Sequence, residues 1–193
     1  MKKSTSAALA LILFGGILTQ TSSAMAGDEA LRAETRKVVK EFAGELKATL
    51  QSAMKAGGPE SAITVCNQAA PAIARGISEK YGWEIGRTSL RLRNPANAPD
   101  EWERKVLEDF ERRKAAGEPV QKLEHAEVVQ TDHGKVYRYM KAIPTGKVCL
   151  TCHGTNIQPA LAKRIKTLYP EDKATGFRPG DIRGAFTVIR PMN

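Results

Sequence analysis

The sequence predicts an α+β domain in which two long helices precede most of the strands. Between residues 28 and 80, apolar residues recur every three or four positions, which is the period of amphipathic helices. Further along, two segments rich in strand-forming residues flank Asp132-His133-Gly134, as in a β-hairpin. Near the C-terminus, one segment is largely apolar on both faces, which is typical of a central strand.

The first helix is predicted over residues 28–56 and the second over about residues 59–80, with Gly57-Gly58-Pro59 between them. The apolar stripe of the first helix comprises Leu31, Val38, Phe42, Leu46, Leu50 and Met54. The apolar face of the second comprises Ile63, Cys66, Ala70, Ile73 and Ile77. Pro71 cannot donate to the carbonyl of Asn67, so we expect a kink or a break one turn after Cys66.

Shorter elements follow, separated by turn residues such as Gly117 and Pro119. We expect a strand at residues 83–92, a loop at 94–99, a helix at 100–116, hairpin strands at 123–131 and 135–143, a short helix at 159–169 and a final strand at 182–190.

The first 26 residues are predicted to form a cleaved signal peptide. Lys2 and Lys3 supply a positive start, an apolar stretch covers residues 7–18, and Ala24-Met25-Ala26 supplies the small residues of a cleavage site. A membrane anchor is a poorer interpretation, because spanning a bilayer takes about 20 apolar residues. We therefore expect residues 27–193 to form one exported, soluble domain that is not an integral membrane protein and lies in the periplasm.

Basic residues exceed acidic ones, giving a net charge of +9 over the 193 residues. Export makes nucleic acid a poor partner for this charge. The surplus indicates either attraction to an acidic redox partner protein or an anionic membrane surface, or a contribution to solubility alone. The composition leaves these alternatives open, and the apolar stripe of the first helix would suit a homodimer as well as a core.

Cys149-Leu150-Thr151-Cys152-His153 spells CxxCH, the attachment signature of c-type haem. Thiols at this spacing add to the two vinyl groups of one haem, and the following histidine binds its iron. A redox dithiol would not need the histidine. A zinc site would have only Cys66, His125 and His133 left as nitrogen or sulfur ligands. We predict one covalently attached haem c, held by Cys149 and Cys152 and ligated by His153.

The ligand at the second axial position decides what such a protein can do. The residue types leave six candidates: Cys66, His125, His133, Met54, Met140 and Met192. Cys66 is the odd thiol in an oxidising compartment, which requires an explanation. It would serve equally well as a small buried hydrophobe or as a thiolate on ferric iron, and the second role would give a low reduction potential.

Four segments resemble a family of exported single-haem c-type proteins known from cyanobacteria and many proteobacteria. They are residues 62–74 (AITVCNQAAPAIA), 149–154, 169–176 (YPEDKATG) and 180–185 (GDIRGA). The family has a PAS-like haem domain, long catalogued as a domain of unknown function. The resemblance implies an antiparallel sheet with flanking helices, and a haem held by His153 and by Cys66 as thiolate.

These expectations support three functions. The first is low-potential electron transfer or redox sensing through a six-coordinate haem. The second is a gas sensor in which NO or CO displaces Cys66, and the third is a haem peroxidase, for which His125 is the only acid–base candidate. Arg183, in GDIRGA, is a candidate partner for a haem propionate or for Asp181.

Overall fold

The computed structural model describes the backbone of residues 19–192 and the side chains of residues 27–192. Most of the predicted signal peptide therefore lies outside the described residues, and its cleavage stays a prediction. No helix within residues 19–192 is both long and apolar enough to cross a membrane.

Helix α1 (Thr19–Tyr81) is interrupted at Gly57 and Gly58, where the backbone leaves helical geometry. Gly58 has φ 69°, a conformation that glycine adopts without strain. The two segments fold back on each other. Lys80 Nζ and the Tyr81 hydroxyl, at the end of the second segment, both donate to the Glu41 carboxylate of the first at 2.6 Å. The predicted pair of helices and the break between them are confirmed, although the first helix begins earlier than expected.

Pro71 lies within the second segment of α1, where the backbone stays helical on both sides of it. Of the kink or break predicted there, the break does not occur. The missing amide of Pro71 still leaves the carbonyl of Asn67 without its helical donor. The glycine pair is where the chain reverses direction, since two adjacent glycines allow a change of backbone geometry that a single proline does not require.

Four antiparallel strands form one sheet with the order β1-β4-β3-β2. They are β1 (Glu84–Thr88), β2 (Glu124–Thr131), β3 (Gly134–Pro144) and β4 (Ile182–Pro191). The predicted hairpin is β2–β3, and β4 is central as expected, pairing with both β1 and β3. Strand β1 is shorter than predicted, because the Ser89 hydroxyl bonds locally to Arg91 and draws the chain out of the ladder.

Helices cover both faces of the sheet. Val38 and Phe42 of α1 pack on Tyr137 and Tyr139 of β3 on one face. On the other, α2 (Glu101–Ala115) packs against neighbouring positions of β3 and β4. Two further helices, α3 (Leu150–His153) and α4 (Pro159–Leu168), lie between β3 and β4 in the chain. The molecule is thus α+β with a long N-terminal helix, as predicted, and its architecture is consistent with a PAS-like fold.

Glu124, at the start of β2, ties α1 to the sheet. Its carboxylate accepts bonds from Arg36 Nη2 at 2.5 Å and from the Tyr139 hydroxyl at 2.8 Å. The side chain is only 14% exposed. Burial alone would raise the pKa of Glu124, but the bonds from Arg36 and Tyr139 outweigh burial and lower it to about 2.

Acid is therefore expected to weaken the contact between α1 and the sheet. Because the pKa of Glu124 lies below its ordinary value of 4.5, the stabilisation is complete above about pH 4.5 and is lost as the pH falls towards about 2. Glu124→Gln should flatten this part of the stability profile, measured by urea unfolding across that range. Glu29→Gln, at a 64% exposed partner of the same Arg36, should keep the wild-type slope. Equal slopes for Glu124→Gln and wild type would contradict the expectation.

Candidate functional site

A cavity of about 360 Å³ lies between the two segments of α1, strand β1 and helix α3. Its walls include Cys66, Cys149, Cys152 and His153, the four residues selected from the sequence. All three cysteines are free and half-buried. The fold thus brings Cys66, more than 80 positions earlier in the chain, to the same cavity as the CxxCH segment.

The CxxCH segment is a tight helical turn. A 3₁₀ turn (Lys147–Cys149) leads directly into α3, which ends where Gly154 N donates to the carbonyl of Leu150 at 2.9 Å. A helical turn places residues three and four apart on the same side. The two thiols and the His153 ring therefore share the side of α3 that faces the cavity.

His153 is held as a neutral imidazole. Its Nδ1 lies 2.7 Å from the carbonyl oxygen of Ala174, and because a carbonyl can only accept, Nδ1 carries the proton. Burial, followed by the nearby charges of Arg183 and Arg93, lowers the pKa of His153 to about 2. The lone pair therefore sits on Nε2, which is the arrangement that a metal-binding histidine needs.

The segment that follows α4 holds this histidine in place. Phe177 N donates to the carbonyl of His153 and Gly176 N to that of Gly154, both at 2.8 Å. Asp172, in the same segment, pairs with Arg93, and Arg93 also donates to the Cys152 carbonyl at 2.6 Å. The YPEDKATG block therefore forms the support of the histidine.

Arg93, Asp172 and Ala174 were not singled out from the sequence. The YPEDKATG block, which contains Asp172 and Ala174, was noted for the family resemblance. Its residue spacing does not predict contacts with the CxxCH segment about 20 positions earlier. Arg93 lies in a polar loop and carries no motif of its own. Only the fold places these groups behind the CxxCH turn.

Cys66 lies on the second segment of α1, beside the buried Ile63 and Ala70. Burial raises the pKa of its thiol, and the charge of Arg87 opposes this shift. Burial also raises the pKa of the Cys152 thiol, and Cys66 adds to this effect. Cys66 thus lines the same cavity as His153 and the two thiols of the CxxCH segment.

The other candidate ligands separate into two groups. Met54 also lines the cavity. The other four candidates do not line it. His125 contacts Trp102 and Glu127 outside the cavity, and Met140 is fully buried in the core beneath α2. The side chains of His133 and Met192 are exposed. Of the alternatives to Cys66, the cavity retains Met54 alone. Within residues 19–192, no group of three or more His, Cys, Asp or Glu side chains could hold a bare metal ion.

Arg183 also lines the cavity, and its Nε lies 3.4 Å from His153 Nε2. The alternative pairing with Asp181 is not formed, because Asp181 binds Lys114 Nζ at 2.8 Å instead. The next residue, Gly184, brings β4 unusually close to the end of β1. A Cβ at Gly184, whose φ is 153°, would lie 2.3 Å from the carbonyl oxygen of Thr88.

Gly184→Ala is therefore expected to destabilise the protein by more than about 1 kcal/mol, because the new Cβ meets backbone that is held in the ladder and the backbone angle itself disfavours alanine. Urea unfolding measures the loss. Gly146→Ala is the matched control, since Gly146 has an ordinary φ of −92° and open space around it. Equal stabilities of the two variants would contradict this interpretation of the β1–β4 contact.

Comparisons with known proteins give one family and one related structure. A family model described as Tll0287-like: Tll0287 matches residues 16–191. A structure described as the crystal structure of the cyanobacterial heme-protein Tll0287 aligns with a TM-score of 0.65 at 24% sequence identity, covering 86% of this chain and 96% of that chain. No curated protein matches.

Proposed function

The chain belongs to the Tll0287-like family, and from this premise we propose that it is an exported mono-haem c-type protein for low-potential electron transfer or redox sensing. Cys149 and Cys152 would attach the haem, and His153 and Cys66 would bind its iron. The related crystal structure is that of a cyanobacterial heme-protein, which supports the cofactor class.

One observation carries the proposal: two attaching thiols, a neutral histidine and a third sulfur line the same cavity. The His153 ring already presents the Nε2 lone pair, and its Nδ1 proton is engaged by Ala174. When bound, haem supplies an iron that exchanges one electron between ferric and ferrous states. With two protein ligands on the iron, no position would remain open for a substrate, which favours redox function over oxygenation chemistry.

The polarity and charge of the residues that line the cavity also suit a haem. The cavity wall has an apolar part, including Phe42, Leu50 and Ile63, and a cationic part formed by arginines. Arg93 Nη1 is buried without a hydrogen-bond partner. An apolar macrocycle that bears carboxylates matches both parts.

The proposal is tested on protein matured in a bacterial periplasm. We expect a covalent haem, detected by mass spectrometry and by the pyridine haemochrome spectrum, and reversible redox cycling at a low potential. The Cys149→Ala/Cys152→Ala variant is the control that should lose covalent attachment. Wild-type protein that matures without haem, or a haem that does not cycle reversibly, would contradict the proposal.

A gas sensor is the second candidate, supported by the position of Pro71 on the cavity wall one turn after Cys66. The carbonyl of Asn67 lacks its helical donor there, which weakens the helix where the Cys66 ligand would have to move. Ferrous protein would then bind CO with loss of the Cys66 signature. An unchanged ferrous spectrum under CO would contradict the gas sensor and leave redox function as the remaining candidate of the two. A peroxidase is less well supported, because His125 does not line the cavity.

Location and partners complete the proposal. The predicted signal peptide and the proposed haem chemistry both favour the periplasm. Export makes nucleic acid a poor partner, and the net charge of +9 then favours an acidic redox partner protein. A homodimer through α1 stays a prediction. Cell fractionation tests the location, and the salt dependence of reduction by candidate partners tests the charge attraction.

A further inference from the structure

Three arginines line the cavity: Arg87 on β1, Arg93 in the following loop and Arg183 on β4. Among the described residues, Asp172 is the one carboxylate in a salt bridge with any of them, and it binds Arg93. Two positive charges at the cavity therefore have no acidic partner within the described part of the chain. We call Arg87, Arg93 and Arg183 the arginine cluster.

Arg87 faces α1 and the cavity. Successive strand residues point to opposite faces, so Arg87 shares a face with Ile85, which packs on Val38 and Phe42 of α1. Burial lowers the pKa of Arg87, and its side chain makes none of the hydrogen bonds found among residues 27–192. Arg87 is half-buried at the cavity, and a partly desolvated cation without an acidic partner is stabilised by an anion.

Arg93 adds a built hydrogen-bond donor. The side chain is 7% exposed, with Nε and Nη2 bound to Asp172 at 3.1 and 3.0 Å and Nη2 also bound to the carbonyl of Cys152. Its Nη1 is buried and has no partner. An acceptor oxygen from a ligand in the cavity would satisfy this nitrogen without disturbing the pair with Asp172.

Arg183 contacts a nitrogen that the proposed cofactor would use. Its Nε lies 3.4 Å from His153 Nε2, and its Nη1 lies 3.3 Å from both the Ser89 hydroxyl and the Arg91 carbonyl. An axial bond from Nε2 would take the lone pair that Arg183 now contacts. The Nε of Arg183 would then need another acceptor, and no carboxylate within residues 27–192 forms a salt bridge with this guanidinium.

We propose that the arginine cluster is a carboxylate-binding subsite that receives the two propionates of a tetrapyrrole. This inference rests on the proposed haem function and extends it to the group that orients the cofactor. Two carboxylates would match the two half-buried cations that lack an acidic partner, Arg87 and Arg183, so that each charge at the cavity would be compensated. Guanidinium groups suit this role because they bind a carboxylate through two parallel hydrogen bonds. Arg87 and Arg183 would make the charge contacts, and Arg93 would add the Nη1 bond.

The test compares haem-loaded Arg87→Gln and Arg183→Gln with wild type. Each substitution removes one cation near the iron, so we expect the reduction potential to become more negative and the propionate-bending band in the resonance Raman spectrum to shift. Arg87→Lys keeps the charge and should stay near the wild-type potential, while its band should still shift because the two-bond contact is lost. Arg75→Gln, at an exposed position of α1, is the matched control and should leave both measurements unchanged.

The outcomes separate this inference from the proposed function. If wild type carries no haem by the pyridine haemochrome spectrum, the proposed function itself fails. If wild type and both glutamine variants carry haem and match Arg75→Gln in potential and in the propionate band, only the arginine subsite is overturned. If a glutamine variant does not fold, Arg87→Lys decides through its propionate band: a shift supports the subsite and no shift contradicts it.

Discussion

Replacing Cys66 by serine is expected to abolish the low-spin ferric EPR signal typical of thiolate-ligated haem. Serine is close to cysteine in size, so the cavity wall keeps its shape, but a neutral hydroxyl is a much weaker ligand than a thiolate. A thiolate donor stabilises ferric iron, so its loss should also raise the reduction potential. Paired EPR and redox titration of the haem-loaded proteins measure both effects.

Met54→Leu is the matched control for this prediction, because Met54 is the other candidate axial ligand on the cavity wall. It should leave the ferric signal and the potential as in wild type. If Cys66→Ser instead matches wild type, Cys66 is a packing residue and Met54 becomes the next ligand to test. His125 and Met140 are no longer candidates on geometric grounds, since neither lines the cavity.

Replacing Asp172 by asparagine is expected to cost about 3–5 kcal/mol of folding stability, the range for breaking a buried ion pair. Asp172 and Arg93 are only 5% and 7% exposed, so the variant leaves a buried guanidinium without its counter-ion. Asparagine keeps one acceptor oxygen, which isolates the effect of the charge. Because Arg93 also binds the carbonyl of Cys152, we expect incomplete haem attachment as well. Urea unfolding and the haem-to-protein ratio measure the two effects.

Glu101→Gln provides the comparison for Asp172→Asn. Glu101 pairs with Lys105 across one helical turn, but the two side chains are 84% and 71% exposed, so its loss should cost far less stability than the loss of Asp172. A double variant, Arg93→Met/Asp172→Leu, removes both charges and should recover part of the stability lost in Asp172→Asn. Similar costs for Asp172→Asn and Glu101→Gln would show that the buried pair does not stabilise the fold.

The predicted elements that agree best with the structure are those set by short-range patterns. The hairpin β2–β3 and helix α2 lie close to their predicted bounds, and α2 begins with a capping box between Asp100 and Glu103. Strand β1 was predicted too long, because the apolar pattern continues past Thr88 while the Ser89 hydroxyl takes the chain into a local turn. At Pro71, where a kink or a break was predicted, the helix continues without a break, because a helix tolerates one missing hydrogen bond when its packing holds it.

The sequence by itself determined the chemistry that depends on neighbouring residues. Cys149, Cys152 and His153 lie within five consecutive positions, so their spacing alone predicts a haem c site. The same holds for the helices and strands, whose periods are properties of short segments. Cys66 was singled out by its residue type and by a family resemblance, and the spacing of the chain left its role open.

Only the tertiary structure decided which distant groups meet. The reversal at Gly57-Gly58 carries Cys66 to the cavity, and the paths of β1 and β4 bring Arg87 and Arg183 to the same wall. The bond from His153 to Ala174 and the pair of Arg93 with Asp172 join residues separated by 21 and 79 positions. Such contacts arise because burial of the apolar faces of α1 and of the sheet fixes the path of the chain. The spacing of residues within a short segment does not predict that path.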